Sequence, residues 1–443
     1  MSGKINSFPK AFSVSFSEIN RWDPNSFHGI RWHWSPDVMC PINKVLQKTS
    51  QKVDREQHSF DTLMPITIHF DGTVEPREID EDREYSMDLF WAPPGSIVVS
   101  KIDLKNGAVA VIPDHWNNAV VTGHFAVYRP DSSKINSKYF HLLIQADFFK
   151  NYLWRNKVGA EGRKEVKLPF FEAIEIPVPL IDIQEAIVEQ WNEAKRAYFS
   201  ASERLSDAVK LLDQELIQRT NRYHEATTSR VLAVRSVDIA QWDLHAGRAA
   251  AFIEANPHFA RMGEYIEECT EQVKPWLSPK VEWPVYGVNN KARVFLNGRK
   301  LGSQFNAAYK RIEKNWFFHN PTRANVGSLG MVPEVEKNAI TSPEYQVWRI
   351  RQGLDVNFVA LMLQTSYFLK LVGFNRVGGV KQRMYYSNLA EIRIPKFSLS
   401  EQRGFAEHRS AAIAAIDEAN LLLKSRKQEV DQMILGKIAV GIA

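Results

Sequence analysis

The feature that most constrains this chain is an internal repeat with a period near 220 residues. Glu18-Ile19-Asn20-Arg21-Trp22-Asp23 is matched by Asp238-Ile239-Ala240-Gln241-Trp242-Asp243. Pro113, Asn118, Ala119, Val127 and Arg129 recur as Pro333, Asn338, Ala339, Val347 and Arg349, still at an offset of 220. Asn156-Lys157-Val158-Gly159 recurs as Asn375-Arg376-Val377-Gly378 at 219. Ile174-Glu175-Ile176-Pro177 recurs as Ile392-Arg393-Ile394-Pro395 at 218, and Gln184 as Gln402. An offset that falls by one twice and never scatters is what small deletions in one copy of a duplicated unit produce. The period far exceeds the roughly 20–50 residues of a solenoid repeat. The repeat therefore predicts a duplicated domain.

Each copy ends in the same way. After Pro179 a stretch without Pro or Gly runs from Ile181 to at least Arg222. Ile187, Trp191, Ala194, Tyr198, Ala201, Leu205, Ala208 and Leu212 alternate in steps of four and three, which is a heptad seam. After Pro395 a second stretch runs from about Ser400 to Leu435, with a seam of Phe405, Arg409, Ala412, Ile416, Ala419, Leu423, Arg426, Val430 and Ile434. Helices of about 35 residues reach roughly 50 Å. Two of equal length in one chain are expected to pair with each other. Arg409 and Arg426 interrupt the second seam and are expected at its rim, carried by their stems. Asp182 and Ser400 are the expected N-caps.

The globular copies mix strands and helices. Residues 96–100 follow Pro93-Pro94-Gly95 and read as a strand, as do 108–112 and their counterpart 327–332. Tyr139 to Trp154 and Val356 to Leu371 each read as one helix, and the Ile-x-Ile-Pro pieces read as final strands. The expected class is α+β. Its expected divisions are a globular domain over 1–180, a long helix over 181–222, a second globular domain over 223–398 and a second long helix over 399–436.

Charge is uneven, although the net value is only +5. Lys291 to Arg323 holds eight basic residues and one acid, Glu313, with Tyr309, Trp316, Phe317 and Phe318 interleaved. Lys370 to Arg383 holds four basic residues and no acid, and Lys150 to Lys167 holds six against Glu161 and Glu165. Both copies thus place a basic, Gly-containing loop after the same helix, a composition suited to close approach to phosphates. The candidate DNA-contacting residues are Lys101, Lys157, Arg163, Lys164, Arg299, Lys300, Arg323, Arg376, Lys381 and Arg383. Ser100-Lys101 and Thr322-Arg323 are matched in this reading by opening a two-residue gap. Val188, Leu211 and Leu216 lie off or beside the first seam and are the candidates for contact with a protein partner.

Two cysteines, Cys40 and Cys269, stand far apart, which fits a reducing compartment and leaves no structural zinc set. No apolar run approaches membrane-span length, and the first ten residues lack the apolar stretch of a secretory leader. The P-loop, the dinucleotide-binding fingerprint, His-Glu-x-x-His and Gly-x-Ser-x-Gly are all missing. The Asn/Asp-Pro-Pro-aromatic string of amino-methyltransferases is missing too. One nuclease-like pattern occurs: Pro130-Asp131 with Glu165-Val166-Lys167, which would need both carboxylates on one Mg²⁺. A coiled-coil adaptor that binds only protein is a further alternative.

A duplicated α/β domain whose copies each end in Ile-Pro and a long heptad helix resembles the DNA-specificity subunit of Type I restriction–modification enzymes. The resemblance is carried by Pro94-Gly95 through Pro113, Ile174 to Gln184, Gly378 to Gln402 and the two helices. The junction Ile394 to Gln402 keeps Glu401-Gln402, whereas Ile183-Gln184 has Ile where Glu is usual. The resemblance implies two target-recognition domains reading a split DNA site in the cytoplasm. It implies antiparallel helices as a spacer, with a pseudo-two-fold relation between the copies. The outer faces would dock two methyltransferase subunits, and motor/restriction subunits would complete the complex. S-adenosylmethionine, ATP and Mg would sit on those partners and none on this chain.

Overall fold

The computed structural model describes residues 29–54, 56–77, 87–159, 164–220, 227–228, 231, 233–236, 239, 244–252 and 258–441. The match between residues 18–23 and 238–243 falls outside these, apart from Ile239. Two compact units form: Met1–Arg196 with Asn420–Ala443, and Ala197–Ala419. Each mixes α and β structure.

In the first unit β1 (Met39–Pro41) is followed by β2 (Leu46–Thr49), β3 (Met64–Ile68), β4 (Val74–Pro76), β5 (Leu89–Trp91), β6 (Ile97–Ser100), β7 (Val109–Val111), β8 (Ala119–Thr122) and β9 (Phe125–Pro130). Helices α1 (Ser137–Gln145), α2 (Asp147–Arg155) and α3 (Leu168–Glu172) lead to β10 (Glu175–Pro177) and the long α4 (Ile181–Gln218). The sheet orders are β2-β9-β6-β7 and β4-β3-β8-β5, and β1 pairs with β10. Strand β6 explains the layering. Ile97 and Val99 join the core under α1 and α2, and Val98 turns to the other sheet with Ile66, Val121 and Val127. A strand covered on both faces reads as a continuous apolar run, which Ile97-Val98-Val99 is.

In the second unit the strands are β11 (Phe259–Arg261), β12 (Ile266–Glu268), β13 (Gln272–Val273), β14 (Glu282–Asn289), β15 (Arg293–Leu301), β16 (Tyr309–Arg311), β17 (Phe317–His319), β18 (Leu329–Met331), β19 (Ile340–Thr341), β20 (Gln346–Ile350) and β21 (Arg393–Pro395). The helices used below are α5 (Val356–Met362), α6 (Ser366–Phe374), α7 (Tyr386–Glu391) and α8 (Leu399–Ile434). The sheet orders are β12-β20-β17-β18 and β13-β16-β19-β14-β15, and β11 pairs with β21.

Registers recur at the offset read from the sequence. Leu46 pairs with Pro130 and Ile266 with Ile350. The parallel pair Pro65–Val120 is matched by Val285–Ile340. Even the isolated bridge Lys52–Phe90 has its counterpart in the β13–β16 pair Gln272–Lys310.

Three local expectations are corrected. The helix expected over 139–154 is two, broken at Ala146, whose backbone is extended (φ −62°, ψ 137°). The helix expected over 356–371 breaks at Thr365, and α5 and α6 meet at 75°. Thr365 Oγ accepts from Phe368 N–H and caps α6 without any Pro or Gly to mark the turn. The long helices begin at Ile181 and Leu399, so Asp182 and Ser400 lie inside their first turns. Ser398 caps α8 reciprocally: its hydroxyl accepts from Glu401 N–H, and the Glu401 carboxylate accepts from Ser398 N–H.

Seam positions on both long helices are buried or half-buried, Ile187, Ala194, Leu212, Ala412 and Ile434 most deeply. In the first unit the start of α4 meets the end of α8, where Arg426 donates to Gln190 at 3.0 Å. In the second unit the end of α4 meets the start of α8, where Arg219 donates to Glu401 at 2.7 Å. Arg409 does not ride a rim. Its guanidinium is largely buried and bonded to Asn357. Among the described residues no single helix is long and apolar enough to cross a membrane; the bent pair α5–α6 passes on length and composition.

Candidate nucleic-acid interface

The basic loop of each unit is a small hairpin built in the same way. Asn156 ends α2, its side-chain amide donating to Tyr152 C=O at 2.9 Å, and Asn375 ends α6 on Leu371 C=O at 2.8 Å. Val158 then exchanges both backbone hydrogen bonds with Glu165, and Val377 does so with Arg383. Gly159 (φ 132°) and Gly378 (φ 112°) turn the chain immediately after the bridge, where an L side chain would be strained. The shared Asn-Lys/Arg-Val-Gly string is thus a shared helix stop, bridge and turn.

Lys157 stands on the first hairpin with its ammonium 3.1 Å from the Trp154 ring centroid. Desolvation, with Lys164 and Lys105 nearby, holds its pKa below the ordinary lysine value. Lys105 donates to Lys164 C=O at 2.6 Å, which brings a third cation to the loop that the sequence reading missed. It lies in the turn before Gly107, distant in sequence from the basic run, and only the fold brings it here. Three ammonium groups gathered at one loop raise the local potential for an anion. Arg163 lies outside the described residues. On the second hairpin Lys381 and Arg383 are exposed. Arg376 is half-buried, burial lowers its pKa, and its Nε has no partner.

The remaining cations are dispersed. Lys101 donates to Gly123 C=O at 2.6 Å. Arg299 is bound to Glu336 and lies 3.9 Å from Glu282, so its charge is already matched. Lys300 is exposed on β15, and Arg323 is exposed where a short 3₁₀ turn begins. The proposed equivalence of Ser100-Lys101 with Thr322-Arg323 is corrected by register. Val99 pairs with Val109 and His319 with Leu329, so Ser100 matches Asn320 with no gap. Arg323 therefore matches Asp103, each opening a 3₁₀ turn that ends on a left-handed glycine, Gly107 (φ 90°) or Gly327 (φ 92°).

Two of the three expected partner contacts are also corrected. Val188 is 7 % and Leu216 0 % exposed, each in the core of its own unit. The globular domain on which each stretch of the helix lies covers these two positions. Leu211 is exposed at 48 %, and on the same long helices Phe199, Leu421 and Leu422 also face solvent.

The nuclease-like groups are taken by neighbours. Asp131 accepts from Ser133 at 2.6 Å and pairs with Lys134, which lowers its pKa to about 2. Glu165 pairs with Lys167 at 3.3 Å. Among the described residues no three His, Cys, Asp or Glu side chains gather as a metal set.

The first unit therefore presents a cationic hairpin, and its Asp131 and Glu165 carboxylates are engaged by neighbouring side chains. Residues 87–191 match the family described as Type I restriction modification DNA specificity domain. It is 28 % identical over 165 residues to the Type I restriction enzyme EcoAI specificity subunit of Escherichia coli. That match spans 37 % of this chain and 28 % of the relative's length. Similar solved structures include the HsdS subunit from Thermoanaerobacter tengcongensis, at 15 % identity and a TM-score of 0.34, covering 90 % of this chain and 97 % of that one. The S subunit from M. genitalium is 13 % identical at a TM-score of 0.44, covering 92 % and 98 %.

Proposed function

We propose that this chain is the sequence-specific DNA-recognition subunit of a Type I restriction–modification complex and performs no chemistry itself. The observation that carries this reading is the pair of cationic hairpins, closed by the same backbone bridge after equivalent helices. The specificity-domain match over 87–191 supports it. In this reading the units are a duplication, with globular domains over 1–180 and 223–398 and spacer helices over 181–222 and 399–436. Each globular domain contacts one half of a bipartite site through Lys157, Arg163 and Lys164, or through Arg376, Lys381 and Arg383. Lys101 and Arg323 are secondary phosphate contacts, and Arg299 acts only if its glutamates release it.

The helices pair antiparallel as a coiled coil. Direct repeats joined to antiparallel rods acquire a pseudo-two-fold axis, which a duplex also has, so each copy can meet its half-site in a similar pose. Two methyltransferase subunits dock on the helices, using Leu211 with Phe199, Leu421 and Leu422, and motor/restriction subunits join them. S-adenosylmethionine, ATP and Mg are held by those partners, in the cytoplasm. The test is methylome sequencing of cells expressing this chain with its methyltransferase. A bipartite modified motif that vanishes without the chain is expected. An unchanged methylome, or a motif without a gap, would overturn the reading.

A further inference from the structure

The second unit carries an exposed apolar patch away from its basic hairpin. Trp276 and Leu277 lie in the 3₁₀ turn Pro275–Leu277, followed by Val281, and Leu301 ends β15. Their exposures are 37 %, 72 %, 38 % and 46 %. Backbone bonds stitch the two segments into one surface: Gly302 N–H donates to Val281 C=O at 2.8 Å and Ser303 N–H to Pro279 C=O at 3.1 Å. Gly302 fits so closely that a Cβ there would stand 2.1 Å from Ser278 C=O. Lys274, Lys280 and Lys300 flank these residues in sequence, exposed and in no ion pair among the described residues. The nearby Glu282 faces Arg299. Single exposed apolar residues are ordinary, but four on two backbone-bonded segments that also carry three unpaired lysines mark an interaction surface.

The first unit has the opposite character at the same place. By the register offset of 220, Lys274, Trp276 and Val281 stand where the first unit has Asp54, Glu56 and Asp61. All three acids are exposed and in no ion pair among the described residues, with the half-buried Phe60 beside them.

We propose that the patch around Leu277 docks the acidic face around Glu56 of a second copy of this chain. The apolar anchors supply the contact area, and three lysines against three carboxylates set the register and exclude like-with-like pairing. Such a contact is heterologous, so it closes only if both pairs of faces can meet at once.

The test is sedimentation velocity of the full chain, nuclease-treated, over a range of concentration and salt. Concentration-dependent association that weakens with salt is expected. Lys274→Glu/Lys280→Glu/Lys300→Glu should reduce it at least tenfold, and so should Asp54→Lys/Glu56→Lys/Asp61→Lys. These are surface positions, and unchanged far-UV circular dichroism checks the fold. Mixing the two variants should restore association, since each then offers only the face the other lacks. A concentration-independent monomer, association indifferent to both reversals, or a mixture that stays apart would each overturn the proposal. So would loss of duplex DNA binding in the lysine variant without any change in self-association. Because the measurement uses no DNA, its failure would leave the recognition reading untouched.

Discussion

Gln184 and Gln402 make the same three hydrogen bonds in their two units. Each side-chain oxygen accepts from a backbone N–H, that of Asn136 or Asp355, at 2.8 Å. Those two residues cap α1 and α5 with their own side chains. Each amide nitrogen donates to two carbonyls, Lys134 and Pro179 in the first unit, Gly353 and Phe397 in the second. Both glutamines are fully buried. One side chain therefore fixes the first turn of a long helix to the globular domain it leaves.

Removing that clamp should be expensive in stability. Gln402→Ala leaves a buried N–H and two carbonyls without partners, at about 1–3 kcal/mol for each group that water cannot reach. A loss of about 2–4 kcal/mol is expected in urea unfolding of the full chain. The exposed Gln214→Ala should stay within about 0.5 kcal/mol. Equal midpoints for the two variants would show that the clamp is not structural.

Much of this was legible in the sequence because a duplication preserves register. The steady offset, drifting only from 220 to 218, shows which strands correspond, and the Asn-Lys/Arg-Val-Gly string marks both hairpins. The breaks at Ala146 and Thr365 were not legible, because neither Gln145-Ala146-Asp147 nor Gln364-Thr365-Ser366 holds a Pro or Gly to stop a helix. The Lys101–Arg323 pairing failed because it matched residue types, whereas the β7 and β18 ladders set register through backbone bonds. Lys105 was missed because the cation cluster is assembled across some sixty residues, a proximity no local pattern carries.

The hairpins should act by phosphate contact. Lys157→Ala and Arg376→Ala are expected to weaken duplex binding at all sequences and to flatten the dependence of log K on log salt by about one unit each. Arg376→Lys should recover the slope but only part of the affinity, since it keeps the charge and loses the guanidinium fork that grips phosphate in two places. Fluorescence anisotropy titrations at several salt concentrations measure this. Superimposable curves for both alanine variants would put the loops away from DNA.

The correction at Val188 and Leu216 separates stability from docking. Leu216→Ala should cost about 2–5 kcal/mol in unfolding, as for a buried leucine. Phe199→Asp and Leu421→Asp, on exposed positions, should leave unfolding nearly unchanged and weaken capture of the methyltransferase subunit at least tenfold. Isothermal titration with that subunit checks the second part. Full affinity in both aspartate variants would move the docking surface elsewhere.

Asp431 gives the first unit a pH dependence. Its carboxyl lies half-buried near Lys427, Asp147 and Lys150, and burial raises its pKa to about 6 from the ordinary 3.8. The folded state thus holds a proton that the unfolded chain has released. Stability from this group is present at low pH and is lost as pH rises from about 4 through about 6. Asp431→Asn removes the penalty. It should therefore be more stable than the wild type at pH 7–8, by about 1–2 kcal/mol after allowance for partial exposure, and equal to it near pH 4. Thermal melts across that range would contradict this if the gap were constant or largest in acid.

If the long helices set the distance between the recognition domains, their length should set the gap in the DNA site and leave the bases read unchanged. An α-helix advances about 1.5 Å per residue and B-DNA about 3.4 Å per base pair. Four residues inserted after Leu205 lengthen α4 by about 6 Å, somewhat under two base pairs. Four residues also exceed one half of a heptad by only half a residue, so the seam is disturbed locally as a stutter. The residues proposed to touch DNA lie in the globular domains, so both half-site sequences should persist. The gap should grow by about one or two base pairs, the helix twisting one domain around the duplex to match. Methylome sequencing of cells expressing the insertion variant with its methyltransferase reads both quantities at once. Altered half-site bases with an unchanged gap would refute the spacer role, because the bases would then be read by the element that was lengthened.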